Sequence, residues 1–135
     1  MFILQYTSWN VRGLASCAKR RRVLAFLRRH NTHVAFIQET HMSKERLDCL
    51  SRSCKGSTIG TTISSFARGV LIWIARDTLY TIISHVVDPD GRYVVIEGVS
   101  DELPLAFVAV YGQTQVRAHF LRQLPPHYLQ IQIYQ

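Results

Sequence analysis

The sequence predicts an α/β layered domain built on a mixed sheet. Three observations carry that expectation. Near the N-terminus a strand-like run, a basic amphipathic stretch and a second apolar run follow one another. Farther on, apolar runs alternate with turn signals, as consecutive hairpin strands do. The runs Val70-Leu71-Ile72-Trp73-Ile74 and Leu105 to Tyr111 are apolar almost throughout, which marks central strands covered on both faces.

Residues 2–10 read as the first strand, closed by a turn at Gly13. Residues 16–30 read as a helix in which Val23, Phe26, Leu27 and His30 share one face at i, i+3, i+4 and i+7. Asn31 ends it, and Val34-Ala35-Phe36-Ile37 is the next strand, buried on both sides. Ser43 is an N-cap for a short helix over 44–51. Residues 51–67, rich in Ser, Thr and Gly, read as loop with one short strand. Strands follow at Val70–Ile74, Leu79–Val87 and Tyr93–Val99. Asp88-Pro89-Asp90-Gly91 is a strong turn between the last two. Glu102-Leu103-Pro104 turns the chain into the Leu105–Tyr111 strand. The shift after Leu121 to Pro125-Pro126 marks 1–124 as the domain and 125–135 as a tail.

Composition sets the class of partner. Lys+Arg 16 against Asp+Glu 9 give a formal charge of +7, a balance suited to a polyanion and to nucleic acid first. The alternative is a basic soluble protein with no such partner. Hydrophobic residues at 47% with 19% charged are ordinary globular composition and argue against a disordered chain. Cys17, Cys49 and Cys54 are an odd number without zinc spacing, and read as free thiols of a reducing compartment. A site of Cys49, Cys54 and His41 lacks a fourth ligand. The start Met1 to Tyr6 carries no charged leader region, and no apolar run is long enough for a bilayer span. A soluble, intracellular protein without a membrane partner, or one insoluble for reasons of folding, is the expectation.

Three segments end apolar runs with polar residues: Ser8-Trp9-Asn10-Val11-Arg12-Gly13, Phe36-Ile37-Gln38-Glu39-Thr40-His41 and Val108-Ala109-Val110-Tyr111-Gly112. Glu39 closes a buried run, where an isolated carboxylate is costly and calls for a cation or strong donors. Alternatively it simply reaches solvent at a strand end. Asn10 can donate its amide to a phosphate oxygen, or it is turn chemistry before Gly13. Tyr111 can hydrogen-bond a phosphate, or it packs.

The order Asn10, Glu39, Tyr111 resembles the opening of the endonuclease/exonuclease/phosphatase family. The closest likeness is to the apurinic-type endonuclease domain of LINE-type (non-LTR) retrotransposons. Lys19-Arg20-Arg21-Arg22, Arg68-Gly69-Val70 and Asp88-Pro89-Asp90-Gly91-Arg92-Tyr93 extend the likeness over most of residues 3–124. The resemblance implies two packed sheets between helices. Here that becomes an incomplete four-layer α/β sandwich, with a mixed sheet and flanking helices but the second sheet largely missing. It implies a Mg²⁺-dependent endonuclease, with Mn²⁺ as the alternative ion, which nicks DNA and exposes a 3′-hydroxyl for reverse transcription in the nucleus. In that likeness Asn10, Glu39 and Tyr111 are catalytic and Glu39 is the metal ligand.

The chain departs from the pattern after Tyr111, where Gly112-Gln113 replaces the family's Pro-Asn step. The family's Gly-Asp-Phe-Asn and Ser-Asp-His segments, which supply an acid/base Asp and a phosphate-binding His, have no counterpart in the 135 residues. The expectation is therefore an N-terminal part of the domain, inactive or nearly so alone, whose uncovered sheet face drives self-association. Lys19, Arg21 and Arg22, with Arg28 and Arg29 beyond them, are the candidate nucleic-acid contacts. A solvated helix face is the alternative for them. A non-catalytic basic binding module and a translated relic without function are the competing readings.

Overall fold

In a computed structural model the described residues are 4–62, 69–111 and, as backbone, 129–134. Met1 to Ile3, Arg68, Gly112, Gln113 and residues 125–128 of the expected tail lie outside them. Strand β1 (Tyr6–Asn10) leads to helix α1 (Cys17–Arg29) and strand β2 (Val34–Gln38), then helix α2 (Lys44–Ser53). Strands β3 (Gly56–Gly60), β4 (Val70–Ala75), β5 (Thr81–Val87), β6 (Tyr93–Ser100), β7 (Leu103–Val110) and β8 (Leu129–Tyr134) follow. The α/β class is the one the sequence predicts.

Two four-stranded sheets form, ordered β1-β2-β4-β3 and β5-β6-β7-β8. The first is mixed: β1 and β2 run parallel, and β4 lies antiparallel to β2 and β3. Alternation within β2 and β4 accounts for their unbroken apolar runs. Ala35, Ile37, Leu71 and Trp73 pack against Val23, Leu24 and Leu27 of α1 and Leu47 and Leu50 of α2. Their neighbours Val34, Phe36, Val70 and Ile72 face the second sheet and meet Val94, Ile96, Leu105 and Phe107. A third cluster, Val95, Ala106, Val108 and Val110, lies on the outer side of the second sheet.

Five features differ from the sequence reading. The second sheet is not largely missing but has four strands, one of them β8, paired parallel to β7 from Leu105↔Leu129 to Val110↔Tyr134. That strand occupies residues read as tail. The inner sheet faces cover each other, so among the described residues these faces are not the uncovered surface on which self-association was expected. Exposed large apolar side chains instead gather at Leu79, Ile83, Val86 and Leu103, on and beside edge strand β5.

The buried face of α1 is Arg20, Val23, Leu24 and Leu27, while Phe26 and His30 are exposed. Trp9, partly buried against the core cluster, meets Phe26 with tilted rings at 4.9 Å, and His30 lies 4.2 Å beyond Phe26. Finally, the β6–β7 turn is at Asp101 and Glu102, both with positive φ, and Leu103 and Pro104 already belong to β7. Pro104 sits one residue into the strand, where a missing N–H is tolerated.

Candidate active site

Parallel pairing puts the C-terminal ends of β1 and β2 at one edge, with Asn10 opposite Gln38. Because β4 runs the other way, its start is there too, with Val70 opposite Gln38. The second sheet contributes the end of β7 and the start of β6, where Tyr93 pairs with Val110. Backbone hydrogen bonds join the loops at this edge. Val11, Gly13 and Leu14 donate to the carbonyls of Gln38, Glu39 and Thr40 at 3.1, 2.6 and 2.9 Å. Gly69 receives from Thr40 at 3.3 Å and donates to Gly91 at 3.2 Å, and Tyr111 N–H donates to the Arg92 carbonyl at 2.7 Å.

This weave holds backbone in costly shapes. Arg12, Glu39 and His41 have φ of 51°, 55° and 51°, a left-handed conformation costing roughly 1–2 kcal/mol in a residue with a Cβ. Such outliers persist only where the surroundings over-determine them. Gly69, at φ 118°, is the tightest point. A Cβ there would lie 2.4 Å from Thr40 Oγ1 and 2.9 Å from the His41 nitrogen. Gly69→Ala is expected to destabilise the fold by about 2–4 kcal/mol, since both the backbone and its neighbour must move. A denaturant midpoint measures this, and a near-neutral result would contradict the close approach.

The side chains meet where the two sheets meet. Tyr111 Oη donates to Glu39 Oε1 at 3.2 Å, across 72 residues of sequence. Both groups are partly exposed. No described cation lies within salt-bridge distance of Glu39, since the ion pairs among described residues are Arg92 with Asp88 and with Asp90. Asn10 Oδ1 accepts from the Arg12 N–H at 3.1 Å, which is turn chemistry, and its amide nitrogen makes no hydrogen bond with a described residue. Thus the edge combines a carboxylate, a phenol and a spare amide donor.

Around them, Gln38 Oε1, Thr40 Oγ1 and His41 Nε2 are buried and without a hydrogen-bond partner among described residues. Each such group costs about 1–3 kcal/mol. These three were legible only as parts of the Glu39 motif, and nothing in their spacing singled them out. The same is true of Gly69 as the point of closest approach.

The other candidates have different surroundings. Lys19 Nζ donates to the Val11 carbonyl and, at 3.4 Å, to that of Arg12, so its ammonium braces the turn after Asn10. Buried Arg20 does likewise, with Nη1 donating to Leu14 and Ala15 carbonyls at 2.8 and 2.7 Å. Arg21 and Arg22 are exposed along α1. Arg92 is held in the hairpin turn, where Asp88 Oδ2 accepts from its backbone N–H at 3.0 Å. His33 Nδ1 accepts from the Gln5 N–H at 2.9 Å, a structural role. Cys54 is buried, which pushes its thiol up from the ordinary range. Among the described residues no cluster of three His, Cys, Asp or Glu forms a metal cage, and no helix is long and apolar enough to cross a membrane.

A family model, the Endonuclease/Exonuclease/phosphatase family, matches residues 7–134. The chain belongs to that family. Solved structures agree in fold. D. rerio TDP2 complexed with single strand DNA product superposes with a TM-score of 0.74 at 15% identity, over 97% of this chain and 59% of that one. A humanized D. rerio TDP2 gives 0.73 at 13% identity, over 97% of this chain and 65% of that one. AP endonuclease LMAP from Leishmania major gives 0.59 at 21% identity, over 89% and 44%. The chain therefore spans less than two thirds of the length of these family structures. No curated protein matches it in sequence.

Proposed function

We propose that this chain is the N-terminal part of a Mg²⁺-dependent DNA endonuclease of the LINE retrotransposon type, acting in the nucleus by phosphodiester hydrolysis. The observation that carries the reading is the Tyr111–Glu39 hydrogen bond of 3.2 Å, which joins the ends of both sheets at one strained edge. A DNA partner is supported by family membership and by the strand that D. rerio TDP2 holds.

The donor set fits a hard divalent cation. Such ions take oxygen ligands, often one or two carboxylates with waters and substrate oxygens completing the shell. Glu39 is a carboxylate without a described cation, and it would hold Mg²⁺ or Mn²⁺. A bound divalent ion supplies charge neutralisation at the phosphate. The chain's own part is positional. Tyr111 orients the Glu39 carboxylate by donating its one phenolic hydrogen to Oε1, and Asn10, whose amide nitrogen has no described partner, donates to a phosphate oxygen.

The segments that would supply an acid/base Asp and a phosphate-binding His have no counterpart in residues 1–135. Losing such groups typically costs about 10²–10⁴-fold each. The 135-residue chain is therefore expected to nick plasmid DNA with Mg²⁺ slowly or not at all, and any nicking should vanish in Glu39→Gln. Robust nicking that survives Glu39→Gln would overturn the reading.

A second reading, a non-catalytic nucleic-acid-binding module, is favoured by the exposed Arg21 and Arg22, which make no ion pair with a described residue. Salt-sensitive DNA binding that ignores Mg²⁺ and falls with Arg21→Glu and Arg22→Glu would support it over the first. Self-association, where it occurs, is assigned to the β5 edge, whose exposed Ile83 and Val86 lie beside unpaired backbone.

A further inference from the structure

The arginines of α1 are not all on a convex, solvated face. A cavity of about 230 Å³ opens between α1 and α2, lined by Cys17, Arg21 and Arg28 from one helix and Cys49 and Ser53 from the other. A second cavity, of about 320 Å³, continues from Arg28 past Asn31 and His33 to Lys55. Arg28 borders both. No carboxylate lines the first cavity, and Asp77 is the acid at the second. Arg21, Arg28 and Lys55 make no ion pair with any described residue.

Exposed cations lining a concave seam raise the local potential and attract a polyanion. The seam also has a direction. It begins at Cys17, three residues after Leu14, whose N–H is bonded to the Thr40 carbonyl at the catalytic edge. At roughly 1.5 Å per residue, α1 carries it about 20 Å to the opposite end of the sheet. Buried Arg20 and Leu24 floor the first cavity, and small exposed side chains at Cys17, Cys49 and Ser53 leave its rim open. A groove of this size takes one backbone and not a duplex.

We propose that the α1–α2 seam is a track for the phosphate backbone of single-stranded nucleic acid, leading away from the catalytic edge, with Arg21, Arg28 and Lys55 on phosphates. This rests on the nucleic-acid reading above but assigns a surface remote from Glu39. Lys19, turned onto carbonyls, and Arg22, which lines neither cavity, are not part of the track.

The test compares binding of oligothymidylates of four and twelve nucleotides, followed by anisotropy between 50 and 200 mM salt. The longer strand is expected to bind more tightly and with a steeper salt dependence. Arg28→Gln/Lys55→Gln should lower its log–log slope by about 1.4, at roughly 0.7 per phosphate contact, and leave the four-mer unchanged. Arg46→Gln/Arg52→Gln removes equal charge from α2 outside both cavities and should leave the slope intact. Arg28→Lys should retain most of it, which separates lost charge from lost folding.

Cys17 and Cys49 are both exposed, so the twelve-mer should also slow their alkylation while the four-mer does not. Equal slopes in the seam and control variants, no gain with length, no binding at 50 mM salt, or a twelve-base-pair duplex behaving as the single strand would each overturn the track. Glu39→Gln is expected to remove Mg²⁺ dependence without touching the seam slope. A failure at Glu39 alone therefore sinks the catalytic reading and leaves the track standing.

Discussion

Phe107→Ala is expected to cost about 3–5 kcal/mol of stability. Phe107 is fully buried at the centre of the inter-sheet layer. Its ring centroid lies 4.7 Å from Tyr80, 6.0 Å from Phe36 and 6.1 Å from Tyr6. Truncation removes the transfer free energy of the ring and leaves a void that β2, β4 and β7 cannot close without moving. Domains of this kind have only about 5–15 kcal/mol to lose. The urea midpoint should therefore fall steeply with little change in slope. Phe26→Ala is the contrast. Its side chain is 40% exposed, outside the core against Trp9 and His30, and about 1 kcal/mol is expected. Similar costs for the two would mean that the sheets do not share the core described.

Glu39→Gln should have the largest functional effect. The substitution preserves shape and hydrogen-bonding capacity but removes the charge. Mg²⁺-assisted affinity for a short DNA strand is therefore expected to fall by about 10–100-fold, the scale reached even by changes one shell out from a metal. Stability should change little or rise, because the left-handed backbone at residue 39 stays while a partly buried charge is gone. Tyr111→Phe separates orientation from charge. It removes the donor to Oε1 and is expected to weaken Mg²⁺-assisted binding several-fold while leaving a metal response in place. If Glu39→Gln and Tyr111→Phe behave alike, the phenol and not the carboxylate governs the site.

Much of this was legible in the sequence, for physical reasons. β2 and β4 declare themselves because a strand buried on both faces has no polar positions to interrupt it. Ser43 marks α2 as its N-cap, accepting from the Arg46 N–H at 3.4 Å. Asp88 fixes the β5–β6 hairpin because its carboxylate satisfies the turn's own N–H groups. Asn10, Glu39 and Tyr111 became candidates through the order of their motifs, and the fold brings Tyr111 and Glu39 into hydrogen-bond contact.

What escaped was decided by tertiary contact. The buried face of α1, Arg20, Val23, Leu24 and Leu27, has the same i, i+3, i+4, i+7 spacing as the face read from the sequence. The charge on Arg20 hid it, while Phe26 meets Trp9 instead. Leu129-Gln130-Ile131-Gln132-Ile133-Tyr134 alternates as a half-buried strand should, yet its place beside β7 depends on a parallel partner far along the chain. Lys19 reads as a phosphate contact until its ammonium is found on the Val11 and Arg12 carbonyls. Gly69 looks like ordinary punctuation before a strand. Its necessity comes from Thr40, 29 positions away in the chain (69 − 40).

The central claim is that Glu39 is a metal-binding carboxylate at a phosphodiesterase edge. The most direct measurement is a titration of the 135-residue chain with Mn²⁺, without DNA, following free ion by electron paramagnetic resonance. One saturable site is expected in the native chain, displaced by Mg²⁺ and lost in Glu39→Gln but retained in Tyr111→Phe. Absence of a saturable site, or a site indifferent to Glu39→Gln, would contradict the account.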